Sequence, residues 1–300
     1  MSSGGASTES GPASREPEPD GREPEPAGRK LGGPLLRPLS RVKRKRFADL
    51  GSRAGRERRG LFLLEGPRAI EDALDRGADL RTLIVEESIG SLVREWSDAG
   101  RLPPGIAVYR ATHAELADLA DTTTPQGILA IGPLPPLTLE SLPADPGPLT
   151  LLIDGLQDPG NLGTLLRTLA ATGGRAALCA RGTVDAYNPK ALRAAAGATF
   201  AIRIAAGLGG GEAVEWCAAR SIAVVALRAG APDLFDARLP DGPLALAVGN
   251  EGAGLSREIL DRSALVLGLP LSGGVESLSA AVAGSVALYV LAHRRGRRRP

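Results

Sequence analysis

The chain has 300 residues, of which 43% are hydrophobic, so it is long enough for one or two globular domains with buried cores. It has only two cysteines and two histidines, which excludes a zinc site built from cysteine and histidine ligands. A Ser-His-Asp triad would have to use His113 or His293, and neither lies in a segment typical of a catalytic base. Cys179 and Cys217 lie in apolar stretches, which predicts buried, reduced thiols.

Basic residues are concentrated at two places, although the formal net charge is only +2. Residues 41–60 contain nine Lys or Arg and two acidic residues, and five arginines fall within 294–299. A single basic run is most often a solvated surface, but it can also bind a polyanion. Two such runs beside an otherwise balanced sequence weigh equally for a nucleic-acid partner and for a solvated surface.

Residues 1–36 are dominated by Gly, Ser, Pro and Glu, and the sequence Arg-Glu-Pro-Glu-Pro occurs at 15–19 and again at 22–26. This composition predicts a disordered tail, because it buries too little apolar surface to offset the chain entropy. The N-terminus has no apolar segment typical of a secretory signal. The longest uncharged apolar stretch, 277–292, is shorter than the roughly 20 residues of a membrane span, so we expect a buried helix in a cytoplasmic protein.

From 37 to 133 the pattern alternates between short apolar runs and helical periodicity, which predicts a small α/β domain. The predicted strands are 61–64, 80–85, 106–109 and 128–131, and the predicted helices are 67–74, 91–97 and a helix near 114–119. Six prolines within 132–148 then predict a linker, which we place at 134–148.

Residues 149–293 alternate again, which predicts a second α/β domain with a mostly parallel, doubly wound sheet, followed by a basic tail at 294–300. Strands are predicted near 149–153, 176–180, 200–204, 222–227, 244–248 and 265–268, and helices at 161–172, 189–196, 212–220, 255–262 and 276–292. Ligands of such sheets bind beyond the carboxyl ends of the strands. The loops that follow 153, 248 and 268 therefore form the candidate site.

The first of these loops, 154–163, is rich in glycine, and Asn161 is predicted to cap the helix that follows. Arg167 lies about one turn inside that helix, from where its side chain can point back to the loop. The alternative for Arg167 is an exposed helix arginine with no role in a site. As a nucleotide-binding glycine motif the loop is weak, because it lacks the spacing of the dinucleotide fingerprint.

The second loop follows a wholly apolar strand and reads Gly-Asn-Glu-Gly at 249–252. This sequence places the carboxylate of Glu251 and the amide of Asn250 in a tight turn. A turn that only caps a helix would explain the glycines but not the carboxylate between them. The third loop, 269–279, leads into a helix of small residues, which permits the close approach of another helix or of backbone.

In their order and spacing, the three loops resemble the three signature motifs of the SpoU (TrmH-like) branch of the SPOUT methyltransferase superfamily. The resemblance spans 41–292 and includes 59–66, which is similar to the start of the RNA-substrate-binding domain in many members. The matching motif positions are Asn161, Gly163, Arg167, the run 249–252, Pro270, Gly273, Ser277 and Leu278.

The resemblance implies an RNA 2′-O-ribose methyltransferase that takes its methyl group from S-adenosyl-L-methionine, with ribosomal RNA favoured over transfer RNA as the substrate. It also implies an RNA-substrate-binding domain at 37–133, a trefoil knot within the methyltransferase domain at 149–293, and a homodimer to which the last helix contributes. No metal is implied, because the sulfonium charge already activates the methyl group. No membrane is implied either.

Transferred residue by residue, the resemblance gives the candidate site. The catalytic set is Arg167, Asn161, Glu251, Ser277 and Ser279. The cofactor-binding set is Val248, Gly249, Asn250, Gly252, Leu269, Leu271, Ser277 and Leu278. The candidates for contacts with RNA phosphates are Arg41, Lys43, Arg44, Lys45, Arg46, Arg56, Arg58 and Arg59. Arg167 is expected either to accept the 2′-hydroxyl proton with help from a substrate phosphate, or to bind the phosphate and the 2′-oxygen while another group or water takes the proton.

Ser279 departs from the family pattern, because an asparagine commonly stands at this position. Serine keeps a hydroxyl group but is shorter and lacks the amide. A second hypothesis is therefore an RNA-binding protein that has lost catalysis. A third, a nucleotide-dependent oxidoreductase on an ordinary doubly wound sheet, lacks the glycine fingerprint and the acidic ribose ligand that such enzymes carry.

Overall fold

The computed structural model of the chain describes residues 36–296, and these residues form two α/β halves, each built on its own sheet. The predicted disordered tail, apart from Leu36, lies outside the described residues, as do residues 297–300 of the predicted basic tail.

The first half is a five-stranded sheet in the order β1-β4-β3-β5-β2, in which β5 is antiparallel to both of its neighbours. Its strands are β1 (Leu36–Pro38), β2 (Leu61–Glu65), β3 (Thr82–Val85), β4 (Ala107–Arg110) and β5 (Ile128–Pro133). Its helices are α1 (Arg41–Ala48), α2 (Arg53–Arg59), α3 (Pro67–Asp75), α4 (Gly90–Asp98) and α5 (His113–Ala117). The elements predicted between 61 and 131 are thereby confirmed.

The basic run at 41–60 folds into two short helices that the sequence analysis did not predict. Serines begin both helices, since the side chain of Ser40 accepts a hydrogen bond from the backbone of Lys43 and that of Ser52 accepts one from Gly55. Helix α2 ends at Gly60, whose φ of 61° is a left-handed conformation that glycine adopts without strain.

The second half is a six-stranded sheet in the order β11-β9-β10-β6-β7-β8, in which all neighbouring strands are parallel, as predicted. Its strands are β6 (Leu149–Asp154), β7 (Ala176–Ala180), β8 (Arg203–Leu208), β9 (Ala223–Leu227), β10 (Leu244–Gly249) and β11 (Leu265–Leu267). Its helices are α6 (Pro159–Ala171), α7 (Pro189–Ala195), α8 (Gly210–Ala218), α9 (Arg257–Leu260) and α10 (Ala280–Gly296). Strands β6 and β10 lie side by side in the middle, with Val248 paired to Ile153.

Two boundaries in this half differ from prediction for identifiable reasons. The strand predicted at 200–204 begins only at Arg203, because residues 198–201 form a turn of 3₁₀ helix after Gly197. The last helix begins at Ala280 rather than at 276 and continues through Arg294 and Arg295. Arg294 donates hydrogen bonds to the carbonyl oxygens of Leu234 and Ala237, so the start of the predicted basic tail is part of the folded structure.

The two halves pack tightly against each other through β2 and the elements around α7. The ring of Phe62 lies 5.6 Å from that of Tyr187 and 5.3 Å from that of Phe200, measured between centroids. Arg193 also crosses the contact and forms an ion pair with the buried carboxylate of Glu65 at 3.2 Å. Buried apolar residues of both halves therefore form one continuous core.

The segment predicted as a linker is itself packed. Leu142 is buried, and the backbone of Ala206 in β8 donates a hydrogen bond to the carbonyl of Leu137 at 2.9 Å. The proline-rich segment therefore connects the two halves in sequence but does not hold them apart, because the halves share a core.

Both cysteines are free and buried, as predicted, and burial raises the pKa of each thiol to about 12. In residues 36–296 no helix is long and apolar enough to cross a membrane. The same residues contain no group of three or more His, Cys, Asp or Glu side chains placed to hold a metal ion.

Candidate active site

The candidate site lies where β6 and β10 end together, at the carboxyl edge of the second sheet. The loop after β10 is closed by two backbone hydrogen bonds between Asn250 and Gly254. The side-chain oxygen of Asn250 also accepts hydrogen bonds from the backbones of Gly252 and Ala253, both at 2.9 Å. Gly249 is required here, because a Cβ atom at this position would lie 2.3 Å from the carbonyl carbon of Gly254.

Three hydrogen bonds join this loop to the loop after β6. The amide of Asn250 donates to the carbonyl oxygen of Gly155 at 2.8 Å, and the carboxylate of Asp154 accepts from the backbone of Ser256 at 2.7 Å. The third bond runs from Nδ2 of Asn161 to Oε1 of Glu251 at 3.0 Å. The first and second predicted motifs are thus brought together, with one carboxylate held by an amide between them.

Asn161 does not cap helix α6, which corrects the sequence-based expectation. The cap is Asp158, whose carboxylate accepts a hydrogen bond from the backbone of Asn161 at 2.8 Å, and Pro159 occupies the first helical position. Lys190, 2.9 Å from the Asp158 carboxylate, lowers the pKa of that group, and the bond from the Asn161 backbone lowers it further. Because Asp158 provides the cap, the side chain of Asn161 is left to contact Glu251.

Gly163, another residue of the first motif, has a packing role. A Cβ atom there would lie 2.3 Å from the carbonyl oxygen of Ala191 and 2.7 Å from Cβ of Ala194, both in helix α7. Helices α6 and α7 therefore approach as closely as they do because residue 163 has no side chain.

A cavity of about 370 Å³ opens beside the second loop and extends to the third. Its walls are mainly apolar side chains and loop backbone, with the carboxylate of Glu251 and the guanidinium of Arg228 as charged groups. All eight residues predicted to bind a cofactor line it: Val248, Gly249, Asn250, Gly252, Leu269, Leu271, Ser277 and Leu278.

One wall of the cavity, formed by Leu227, Arg228 and Ala229, was not predicted from the sequence. They lie at the carboxyl end of β9, which is parallel to its neighbour β10, so the two strands end at the same edge of the sheet. The sequence contained part of the signal, because a strand was predicted at 222–227 in a mostly parallel sheet, and parallel neighbours end at the same edge.

Of the five predicted catalytic residues, Glu251 and Ser277 line this cavity, whereas Asn161, Arg167 and Ser279 do not. Arg167 is exposed on α6 and lines a separate cleft that faces the first half of the protein. Ser279 lies at the start of α10, where its hydroxyl accepts a hydrogen bond from the backbone of Val282 at 3.3 Å. Ser279 therefore contacts the helix backbone, a contact that serine makes readily at a helix start.

The predicted RNA-contacting residues divide into paired and unpaired groups. Arg56 does not fit the prediction, because it is only 1% exposed and forms a 2.5 Å ion pair with Asp185 of the second half. Lys43, Arg44, Arg58 and Arg59 lie nearer the surface and have partners within the chain. The other three predicted contacts, Arg41, Lys45 and Arg46, are exposed, and their side chains form no ion pair or hydrogen bond within residues 36–296.

The chain matches known proteins along most of its length. Residues 148–289 match the SpoU rRNA Methylase family, and residues 41–130 match the MRM3-like substrate binding domain. The chain is 35% identical over 256 residues to the 23S rRNA (guanosine(2553)-2′-O)-methyltransferase of Bacillus subtilis, which covers 85% of this chain and 96% of that protein. The chain belongs to the SpoU methylase family.

Solved structures of SpoU methyltransferases have the same fold. The AviRb methyltransferase of Streptomyces viridochromogenes in complex with AdoMet superposes with a TM-score of 0.76 at 27% identity, over 87% of this chain and all of that chain. The AdoMet-bound rRNA methyltransferase of Sinorhizobium meliloti gives a TM-score of 0.74 at 25% identity, over 86% of this chain and 98% of that one.

The cavity beside β10 fits S-adenosylmethionine, the cofactor of this SpoU methylase. Its volume of about 370 Å³ is within the range of small-molecule sites. Apolar walls at Val248, Leu269 and Leu278 suit the adenine ring, and the backbone of the closed loop offers hydrogen-bonding groups around it. Arg228 and Glu251 are the charged residues of its lining and would supply opposite charges to a cofactor that carries charges of both signs.

Proposed function

We propose that this protein transfers a methyl group from S-adenosylmethionine to a ribose 2′-hydroxyl of ribosomal RNA. The observation that carries the proposal is the Asn161–Glu251 hydrogen bond, which fixes a carboxylate at the edge of a cavity that fits the cofactor. The matches to a 23S rRNA 2′-O-methyltransferase and to a substrate-binding domain support ribosomal RNA as the substrate. The proposal includes a location in the cytoplasm.

The chain's residues contribute mainly by positioning. When bound, the cofactor supplies a methyl group that its sulfonium charge already activates. Glu251 and Asn161 then hold the loop that borders the reactive centre, and Arg167 binds a substrate phosphate and the 2′-oxygen. Aligning the 2′-oxygen with the methyl group replaces a bimolecular encounter by a unimolecular step, which lowers the barrier. Proton removal falls either to Arg167, assisted by the phosphate, or to water.

The proposal includes a homodimer in which α10 lies at the interface. One face of α10 presents Val282, Val286 and Tyr289 to solvent, with 49%, 38% and 56% of each residue exposed. These residues are spaced at i, i+4 and i+7 and therefore form one apolar stripe. Helix α6, which carries Arg167, is joined to α10 by the 2.9 Å Thr168–Ser285 hydroxyl contact. A second copy docked on the stripe is thus close to Arg167, which lies outside the cavity of its own chain.

The dimer is tested by sedimentation velocity with Val286→Glu. A charge in the stripe is expected to convert a wild-type dimer to a monomer and to reduce methyl transfer, because Arg167 would lose the site it completes. Ser91→Glu, an exposed change in the first half, is the matched control and should remain dimeric. A wild-type protein that sediments as a monomer at micromolar concentration would contradict this part of the proposal.

The trefoil knot of SPOUT proteins belongs to the same proposal, supported by the convergence of the second and third loops on one cavity.

The reaction is tested by mapping 2′-O-methylation across total RNA from cells with and without the gene, and from cells that carry Arg167→Ala. We expect one ribosomal RNA site to be lost in both altered strains, while the purified variant keeps its melting temperature and its cofactor affinity. Cofactor binding without any lost site would instead favour the RNA-binding protein that has lost catalysis. Ser279, which stands where the family commonly has asparagine and whose hydroxyl accepts a hydrogen bond from the backbone of Val282, motivates that second candidate.

A further inference from the structure

A cleft of about 580 Å³ lies between surface residues of the two halves, on the side of α6 that carries Arg167. Helix α3 of the first half forms one wall. The other wall consists of α6 and the turn that follows it, and the floor is the short helical turn after α7. This cleft is distinct from the cavity beside β10, and the two share no lining residue.

The α3 wall presents a basic face that no run in the sequence reveals. Arg68 and Asp72 lie one turn apart in α3, Arg76 follows at the end of the helix, and all three residues line the cleft. The opposite wall adds Arg167 and Arg175. Four guanidinium groups thus surround a space that contains one carboxylate among its lining residues.

Most of these arginines are not neutralised within the protein. In residues 36–296, the side chains of Arg68, Arg76 and Arg167 form no ion pair or hydrogen bond, and Arg175 pairs with Asp145 at the surface. The basic run of α1 and α2 is different, because five of its eight predicted RNA contacts are engaged inside the chain. Unpaired like charges around a shared space favour the binding of an anion.

The shape of the cleft favours a nucleic-acid backbone over a small anion. Its remaining lining consists of small residues that leave room for a strand: Ala170, Ala171, Gly173, Gly174, Ala196, Ala198 and Ala201. No aromatic ring lines it, so the cleft has no platform on which a base could stack. Arginines around an open groove are typical of contacts to successive phosphates, which position RNA without reading its sequence.

We propose that this cleft binds the phosphodiester backbone of the substrate RNA beside the target nucleotide, with Arg68 and Arg76 as phosphate contacts. The inference rests on the proposed function, because Arg167 lines the same cleft and connects the bound strand to the reaction. Helix α3 is then the element of the first half that delivers the substrate, and the two arginines are positioning residues.

The test measures binding of a 23S rRNA transcript to the full-length protein between about 50 and 200 mM salt, for wild type and for the double variant Arg68→Gln/Arg76→Gln. Removing two phosphate contacts is expected to reduce the slope of log affinity against log salt by about 1.4 to 1.8. Cofactor affinity and melting temperature should stay at wild-type values, because neither side chain is buried or bonded. The matched control is Arg94→Gln, an exposed arginine of the first half outside the cleft, which should leave the slope unchanged.

An unchanged slope in the double variant would overturn the proposal, most directly if Arg41→Gln/Lys45→Gln/Arg46→Gln reduced the slope instead, since RNA would then lie on α1. The methylation map separates this failure from that of the proposed function. If the wild-type protein methylates ribosomal RNA and the double variant keeps its full affinity for RNA, only the proposal about the cleft is rejected. A reduced slope in a protein that methylates no RNA would support the cleft and reject the enzyme.

Discussion

Nδ2 of Asn161 lies 3.0 Å from Oε1 of Glu251, although the two residues are 90 positions apart in the chain. The bond links the loop after β6 to the loop after β10, and it orients a carboxylate whose second oxygen stays available. Because Asp158 caps α6, the amide of Asn161 is free for this contact. Two separate motifs therefore act as one structural unit.

The first prediction concerns the coupling of these residues. Asn161→Ala and Glu251→Ala should each lower kcat for methyl transfer, and the double variant should lose less than the product of the two single losses, because both remove the same contact. A coupling energy of about 0.5–3 kcal/mol is expected from a double-mutant cycle. Gln157→Ala, which removes an exposed amide from the same loop, is the control. Additive losses would mean that the hydrogen bond has no part in catalysis.

The second prediction concerns Arg228, which the sequence analysis missed. If its guanidinium binds the carboxylate of the cofactor, Arg228→Ala should weaken cofactor binding roughly tenfold, or about 1.4 kcal/mol. Arg228→Lys should recover part of the affinity, since lysine keeps the charge but not the forked geometry. Isothermal titration calorimetry without RNA measures this directly, with the exposed Arg238→Ala as control. Wild-type affinity in Arg228→Ala would exclude the contact.

The third prediction concerns the packing of α6 on α7. Gly163→Ala would place a methyl group 2.3 Å from the backbone oxygen of Ala191, so one helix must shift. Overpacking of this kind costs about 1–3 kcal/mol, which urea denaturation resolves. Gly211→Ala is the matched control, since its nearest neighbour would be the flexible end of Arg262 at 3.4 Å. A fully stable Gly163→Ala protein would show that the interface relaxes freely.

The fourth prediction is a pH dependence at the cap of α6. Lys190 and the Asn161 backbone lower the pKa of Asp158 below its ordinary value of 3.8 in the folded state. The ionised cap therefore contributes stability above that value, and the contribution disappears as the pH falls through the lower, folded-state pKa. At neutral pH, Asp158→Ala should cost about 1 kcal/mol of unfolding free energy. The difference between variant and wild type should shrink below pH 3.8, and a difference that grew in acid would contradict the assignment.

Much of the fold could be predicted from the sequence, because apolar runs such as 244–248 mark buried parallel strands and the glycine-rich segments mark the loops between them. Contacts between residues that are distant in the sequence could not be predicted in this way. The basic run at 41–60 gives no sign that Arg56 is buried against Asp185, 129 positions later. The spacing of the first motif also favoured Asn161 as the cap, since Asp158 and Asn161 are both good capping residues.

The cleft beside α3 is a second feature that could not be predicted from the sequence. Arg68 and Arg76 are isolated in sequence, and only the packing of the two halves places them opposite Arg167. Periodicity reveals the face of a helix, but it does not reveal which element that face meets.

The close joint between the halves has a consequence for how a target nucleotide is chosen. At Gly197, with φ of 73°, a Cβ atom would lie 2.4 Å from Cβ of Asp72, so the backbone of the second half rests directly on α3. The Phe62 ring contacts and the Arg56–Asp185 ion pair join the halves beside it. Because these contacts hold the halves together, we expect the distance between the proposed RNA cleft and the cofactor cavity to stay nearly constant. On the proposed function, the target nucleotide is therefore expected to lie at a fixed distance along the RNA from the phosphates that Arg68 and Arg76 bind.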